Sequence, residues 1–225
     1  LLGQLIGTRT LSAIFDISQF DEIGQATFVT NFLRQLYLTN EKPLHLFVDE
    51  AFAHRAYEDT ALPLGQGQTI SQPFIVARMI ECLRAGDRPL GKTLEIGTGC
   101  GYQASVLAGL TKEVYSIERL AGLIDRAKVN LRAIKCFNVR LKHGDGYLGI
   151  PEVAPFDSII LAAAAPKVPE ALLQQMAVGG RMVLPFGASS DDAVQRMLVI
   201  ERTEAGWNEQ LMEPVKFVPM LPGVE

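Results

Sequence analysis

The stretch Leu94-Glu95-Ile96-Gly97-Thr98-Gly99-Cys100-Gly101-Tyr102-Gln103 constrains this chain more than any other. Thr93-Leu94-Glu95-Ile96 reads as a strand, and residues 103–110 have the periodicity of a helix. Three alternating glycines between a strand and a helix leave few folds open. They let the backbone turn sharply and come close to a ligand that a Cβ would hold off. A unit of this kind opens a doubly wound sheet, with its ligand at the carboxyl ends of the strands, where the strand order reverses.

The chain beyond the turn repeats the same texture. Residues 114–117 read as a second strand, followed by a helix over about 120–133. Third and fourth strands are expected at 139–142 and 156–161, a helix near 170–176 ended by Gly179-Gly180, and a fifth strand at 181–184. Residues 195–202 and 209–217 flank Ala205-Gly206-Trp207 as a terminal hairpin. Continuous apolar strands separated by helices predict a parallel sheet covered on both faces. The expected fold is therefore α/β: a Rossmann-like doubly wound, mostly parallel, seven-stranded sheet with a C-terminal antiparallel hairpin.

Residues 1–85 differ and read as an N-terminal helical extension that does not fold independently; 86–225 form the ligand-binding domain. Phe28, Phe32, Leu33, Leu36 and Tyr37 mark one helix face, and residues 49–57 mark a second helix. Leu62-Pro63-Leu64-Gly65-Gln66-Gly67-Gln68 holds too much Gly and Pro for a regular element. Ser71 is the expected N-cap of a helix whose first turn contains Pro73 and whose apolar face continues through Ile75, Val76, Met79, Ile80 and Leu83.

Composition removes several function classes. With 21 basic and 25 acidic residues in 225, the net charge of −4 offers no broad nucleic-acid footprint. Cys82, Cys100 and Cys136 are three and widely spaced, which argues against a disulfide framework and for a reducing, cytoplasmic setting. No Cys/His cluster points to zinc, no apolar run reaches membrane-span length, and no secretory leader pattern opens the chain. A monomer is expected.

The spacing in the glycine turn narrows the ligand. A dinucleotide fingerprint needs Gly or Ala where Tyr102 stands, and a P-loop needs a Gly-Lys-Ser/Thr that is missing. The pattern is instead acid-x-Gly-x-Gly-x-Gly, with Glu95 before the first glycine and placed for a cation rather than a pyrophosphate. Glu118 ends the second strand, where a carboxylate accepts ribose hydroxyls. Asp145, in His143-Gly144-Asp145-Gly146, follows the third strand, where an acceptor meets an adenine amino group. The arrangement resembles the class I S-adenosylmethionine-dependent methyltransferases over residues 90–200. On that resemblance Glu95, Ile96, Gly97, Thr98, Gly99, Gly101, Gln103, Glu118, Arg119, Asp145 and Gly146 hold S-adenosyl-L-methionine, leaving S-adenosyl-L-homocysteine as product, with no metal.

A second segment, Gly65-Gln66-Gly67-Gln68-Thr69-Ile70-Ser71-Gln72-Pro73, is more specific. With Ala56-Tyr57-Glu58-Asp59 and Leu62-Pro63-Leu64 before it, it resembles the signature of the protein-L-isoaspartate (D-aspartate) O-methyltransferase family, bacterial branch. Gly144-Asp145-Gly146, Pro155-Phe156-Asp157, Gly179-Gly180-Arg181 and Lys216-Phe217-Val218-Pro219 extend the likeness over residues 25–220. Cys100 departs from the small hydroxyl residue common there, and residues 1–24 match nothing.

The resemblance implies methyl transfer to the free carboxylate of L-isoaspartyl residues in damaged proteins and peptides, less well D-aspartyl residues. The ester then collapses through a succinimide towards aspartate. A carboxylate with a pKa near ~4 is already ionised at neutral pH, so no general base is needed. Family resemblance makes Ser71 the active-site residue, donating a hydrogen bond to the attacking carboxylate. Thr69, Ile70 and Val218 are expected along the substrate groove. Two other readings stay open at this point: a class I methyltransferase for a small carboxylate, hydroxyl or amine, and a non-catalytic module that keeps the cofactor fold. His45 and His54 are expected to be structural and His143 to lie beside the cofactor loop, while Ala162-Ala163-Ala164-Ala165 either form a shallow wall or serve packing alone.

Overall fold

The computed structural model describes residues 60–65, 67–188 and 194–225. The helices expected at 28–37 and 49–57, with His45 and His54, lie outside the described residues. The chain divides into two units, Leu1–Arg78 and Met79–Glu225.

In the first unit, strands β1 (Leu62–Gly65) and β2 (Gln68–Ile70) pair antiparallel, Leu62 opposite Ile70 and Gly65 opposite Gln68. This corrects the expectation of an irregular 62–68. Gly65 and Gly67, at φ 84° and 69°, supply the left-handed turn. Pro63 is tolerated because both strands of a two-stranded ribbon are edges. Helix α1 (Pro73–Arg84) follows and crosses the division between the units. Its first bond runs from the Val76 N–H to the Gln72 carbonyl at 3.1 Å. Gln72 is therefore the cap and Pro73 the first helical residue. Ser71, expected as the N-cap, stands one position earlier, where the hairpin passes into the helix.

The second unit is a seven-stranded sheet, as the alternation of elements predicts. Its strands are β3 (Lys92–Ile96), β4 (Glu113–Glu118), β5 (Val139–His143), β6 (Phe156–Leu161), β7 (Met176–Phe186), β8 (Gln195–Thr203) and β9 (Gly206–Val215). They lie in the order β5-β4-β3-β6-β7-β8-β9. The pairs from β5 to β7 are parallel; β7–β8 and β8–β9 are antiparallel. Helices α2 (Tyr102–Leu110) and α3 (Ala121–Ala133) make the crossovers between β3, β4 and β5.

In β6, Ile159, Ile160 and Leu161 are each 0 % exposed although consecutive side chains point to opposite faces. Both faces of the sheet are thus covered, which is why its strands read as unbroken apolar runs. Leu94, Ile117, Phe156, Met182 and Leu184 join Ile159 in one buried cluster. Each such side chain stabilises the fold by about 1.5–3 kcal/mol.

Several boundaries differ from the sequence pattern. Helix α4 spans only Glu170–Gln174, and Gly179-Gly180 lies inside β7 rather than ending the helix. The register shifts there, from Phe156 opposite Met176 to Ser158 opposite Arg181. A Cβ on Gly180 would stand 2.8 Å from the Ala177 carbonyl oxygen, so the glycine serves a close backbone approach within an irregular strand. Strand β9 starts at Gly206 instead of 209 and so includes Trp207, whose ring lies 5.4 Å from the Arg202 guanidinium.

Replacing Ile159 by Ala is expected to lower unfolding free energy by about 2–5 kcal/mol. Urea denaturation followed by far-ultraviolet circular dichroism measures it, and an unchanged midpoint would place Ile159 outside the core.

Candidate active site

Strand β3 sits where the sheet reverses, with β4 on one side and β6 on the other. A crevice opens beyond the carboxyl ends of neighbouring strands at such a reversal. The Gly97 N–H donates to the Ile117 carbonyl at 2.9 Å, and the Ala162 N–H donates to the Ile96 carbonyl at 2.8 Å. The chain then leaves the sheet through Gly97, Gly99 and Gly101, at φ 92°, 56° and 90°. A Cβ on Gly97 would come within 3.3 Å of the Ala162 Cβ. The expected turn is therefore present, its glycines are needed by conformation, and Ala162 after β6 packs against it.

The two acids expected at strand ends are held by backbone amides. Glu118, 6 % exposed, accepts the Gly99 N–H on Oε2 at 2.9 Å and the Leu120 N–H on Oε1 at 3.1 Å. Asp145, after β5, accepts the Tyr147 N–H on Oδ1 and the Gly223 N–H on Oδ2, both at 2.8 Å. A carboxylate oxygen has lone pairs to spare after one such bond. Each acid is thus oriented while keeping acceptor capacity. Gly146 beside Asp145 leaves no room for a side chain, since a Cβ would stand 2.5 Å from Ile96 Cγ2.

Residues 220–225, which sequence reasoning missed, fold back over this end of the sheet. Glu225 pairs with the Arg119 guanidinium at 2.9 Å, and its N–H donates to the Arg119 carbonyl at 2.8 Å. His143 Nε2 lies 2.9 Å from the Arg119 carbonyl and 3.2 Å from that of Glu225. Two carbonyl neighbours require Nε2 to carry a proton and donate. His143 thus joins the end of β5 to the Arg119 and Glu225 backbone. The return of these residues has no local signature, because its partners lie about eighty to a hundred positions away in sequence.

Beneath the turn lies a buried polar group. Glu95 is 0 % exposed; its Oε2 accepts the Ser116 hydroxyl, and Ser116 Oγ lies 2.6 Å from Thr98 Oγ1. Glu95 Oε1 and both polar atoms of the Gln103 carboxamide have no hydrogen-bond partner among the described residues. Burial pushes the Glu95 carboxyl up to about 8; the Ser116 hydroxyl and the nearby Gln103 amide pull it back, and Glu118 raises it slightly. Ser116 escaped the sequence reading because its role depends on register, which sets it opposite Glu95 across the β3–β4 pair.

Val218 is tied to the alanine run: its carbonyl accepts the Ala164 N–H at 2.8 Å, and the Met220 N–H donates to the Ala164 carbonyl at 2.8 Å. Thr69, Ile70 and Ser71 belong to the first unit. Burial pushes the Cys100 thiol up to about 11, so it stays protonated and unreactive at neutral pH. Among the described residues no group of three or more His, Cys, Asp or Glu side chains is placed to hold a metal ion, and no helix is long and apolar enough to cross a membrane.

The site fits a nucleoside joined to a cationic amino-acid tail. A glycine cradle closed to side chains lies between carboxylates at the ends of β4 and β5, and orphaned polar atoms sit beneath it. Together with the reversed parallel sheet, this defines a class I S-adenosylmethionine-dependent methyltransferase. Residues 31–225 match the family model described as Protein-L-isoaspartate(D-aspartate) O-methyltransferase (PCMT), and the chain belongs to that family. A protein-L-isoaspartate O-methyltransferase of Dechloromonas aromatica is 61% identical over 183 residues, 81% of this chain and 83% of that one. A solved protein-L-isoaspartate O-methyltransferase superposes with a TM-score of 0.71 at 25% identity, covering 86% of this chain and 65% of that one. A Plasmodium falciparum chain described as a protein of the same kind, crystallised with S-adenosyl-L-homocysteine, shares the fold. Its TM-score is 0.62 at 22% identity, covering 88% of this chain and 98% of that one.

The raised Glu95 pKa fixes the sign of one pH effect. Between its ordinary value of 4.5 and about 8, the folded ligand-free protein binds the proton that the unfolded chain has lost. Stability therefore falls as pH rises through that window, by up to about 1.4 kcal/mol per pH unit, and levels above it. Urea unfolding at pH 6 and pH 8 is expected to show this loss in the native chain and a smaller loss in Glu95→Gln. Equal slopes would mean that Glu95 is ionised in the fold.

Proposed function

We propose that the chain is a protein repair methyltransferase. It transfers the methyl of S-adenosyl-L-methionine to the free carboxylate of L-isoaspartyl residues, and less well of D-aspartyl residues, in damaged proteins. The observation that carries this reading is the family match over residues 31–225, which spans both the glycine turn and the Gln68–Ile70 strand with Ser71 behind it. In this reading residues 1–85 supply the substrate loop and 86–225 hold the cofactor. The chain acts as a monomer in the cytoplasm, on isoaspartyl proteins and peptides.

When bound, S-adenosyl-L-methionine supplies an electrophilic methyl group on a positively charged sulfur. The protein's task is to hold an already ionised carboxylate in line with it and to exclude water. Positioning of this kind supplies up to about 7–11 kcal/mol. Glu118 takes the ribose hydroxyls and Asp145 the adenine amine, with the lone pairs their backbone bonds leave open. Glu95, Ile96, Gly97, Thr98, Gly99, Gly101 and Gln103 shape the cradle, closed at its side by Arg119 and Gly146.

Ser71 donates a hydrogen bond that orients the attacking carboxylate without neutralising it, which Arg or Lys would do. Thr69, Ile70 and Val218 guide the peptide backbone. The methyl ester leaves the protein as a reactive product: the next backbone nitrogen expels methanol, and the succinimide opens partly to aspartate.

An isoaspartyl peptide is expected to take up methyl in base-labile form while its normal aspartyl counterpart does not. Methylation of some small acceptor and of neither peptide would favour the alternative of a small carboxylate, hydroxyl or amine substrate. Ser71→Ala is expected to keep cofactor affinity and lose about 10–100-fold in turnover, the value of one hydrogen bond to a charged group. Wild-type turnover at saturating cofactor would remove Ser71 from the mechanism. Glu118→Ala and Asp145→Ala are each expected to weaken S-adenosyl-L-homocysteine binding about tenfold or more, read by calorimetry.

A further inference from the structure

Glu95 lies in the middle of the sheet, wholly buried, with one hydroxyl donor on Oε2 and no partner for Oε1 among the described residues. Its cross-strand neighbours are Ser116 on β4 and the apolar Ile160 on β6. The groups that act on its charge are the Ser116 hydroxyl, the Gln103 amide from α2, the Glu118 carboxylate from the end of β4 and the Cys100 thiol in the turn. None of these is a cation, and Glu118 is a like charge. Burial without a cationic partner among the described residues favours the neutral carboxyl in the ligand-free protein.

Ser116 also links this carboxyl to the glycine turn, because its hydroxyl meets both Glu95 and Thr98. The chain Thr98–Ser116–Glu95 can run in two directions. With Glu95 ionised, Thr98 donates to Ser116 and Ser116 to Glu95. With a proton on Glu95 Oε2, both hydroxyls turn and the carboxyl becomes the donor.

We infer that binding S-adenosyl-L-methionine against the turn ionises Glu95, so that cofactor uptake releases one proton through Ser116 and Thr98 to solvent. This rests on the cofactor assignment made above. The cofactor brings a sulfonium and an ammonium to a turn flanked by the Glu118 and Asp145 carboxylates, with Arg119 paired to Glu225 and Arg126 acting on Cys100, and a cation close to a buried acid favours its charged form. Glu95 loses H⁺ and the buffer gains it. Affinity must then rise with pH until Glu95 is ionised without help.

The test is calorimetric titration of the full chain with S-adenosyl-L-methionine, without peptide, in buffers of different ionisation enthalpy. At pH 7 the native chain is expected to release about half to one proton per ligand bound, and Kd to tighten several-fold from about pH 6 to 7, below the range where the ligand's own α-amino group loses its proton. Glu95→Gln is expected to remove most of the proton release and to flatten the profile. Ser116→Ala, which deprives the ionised form of its donor, is expected to shift the midpoint to higher pH. Ser116→Thr is expected to return it towards the native value. If Glu95→Gln does not fold, the Ser116 pair decides: a displaced midpoint restored by threonine supports the coupling, and an unmoved midpoint overturns it. No proton release by the native chain, or equal release by a folded Glu95→Gln, also overturns it. Failure of the native chain to bind S-adenosyl-L-methionine at any pH would instead remove the cofactor assignment.

Discussion

The Glu118 carboxylate is the contact on which the site's geometry turns. One side chain accepts the N–H of Gly99 in the glycine turn and of Leu120 at the start of α3. It thereby ties the exit from β3 to the exit from β4, two points far apart in sequence and adjacent in the sheet. Hydrogen bonds to a charged group contribute about 1.5–3 kcal/mol each, more than neutral ones. Left-handed glycines have more conformational freedom to lose than other residues. Held this way, they present a fixed concave edge, and the carboxylate that holds them remains open to further donors.

Below that edge the protein accepts an unfavourable arrangement. A buried carboxyl with one hydrogen bond, next to an amide with none among the described residues, is costly in a sheet otherwise filled with aliphatic side chains. An apolar pair at Glu95 and Ser116 would pack at lower cost. Buried polar groups left partly satisfied mark places where a sequence gives up stability, and such places gather at functional sites. Here Glu95 lies under the turn, in register with Ser116 across β3 and β4, and Gln103 stands in the first turn of α2.

On the proposed reaction the protein carries out little proton chemistry at the acceptor, since the attacking group is already an anion. That accords with a site built from backbone amides, glycines and small side chains rather than from a nucleophile and base. The alanine run joins Val218 and Met220 through paired backbone bonds, so the segment after β9 is fastened to the end of β6. Further along, Gly223 and Glu225 reach Asp145 and Arg119. Residues 218–225 are thus fastened to the ends of β4, β5 and β6.

Much of this was legible in sequence because it is local. Apolar runs of strand length, a helix period near 3.6 and an acid-x-Gly-x-Gly-x-Gly turn are short-range signals. They determined the seven strands, the parallel character, the glycine cradle and the strand-end acids Glu118 and Asp145. Misreadings fell where local cues are ambiguous. Gly179-Gly180 looks like a helix stop yet serves a backbone approach inside β7, and Leu62–Gly65 looks like a loop yet pairs as a ribbon edge. Only tertiary structure decided that Ser116 faces Glu95, that Asp145 is held by Gly223, and that Arg119 is paired with Glu225. Those partners meet through strand register and chain return, and a sequence carries no signal for distance in space between residues it keeps far apart.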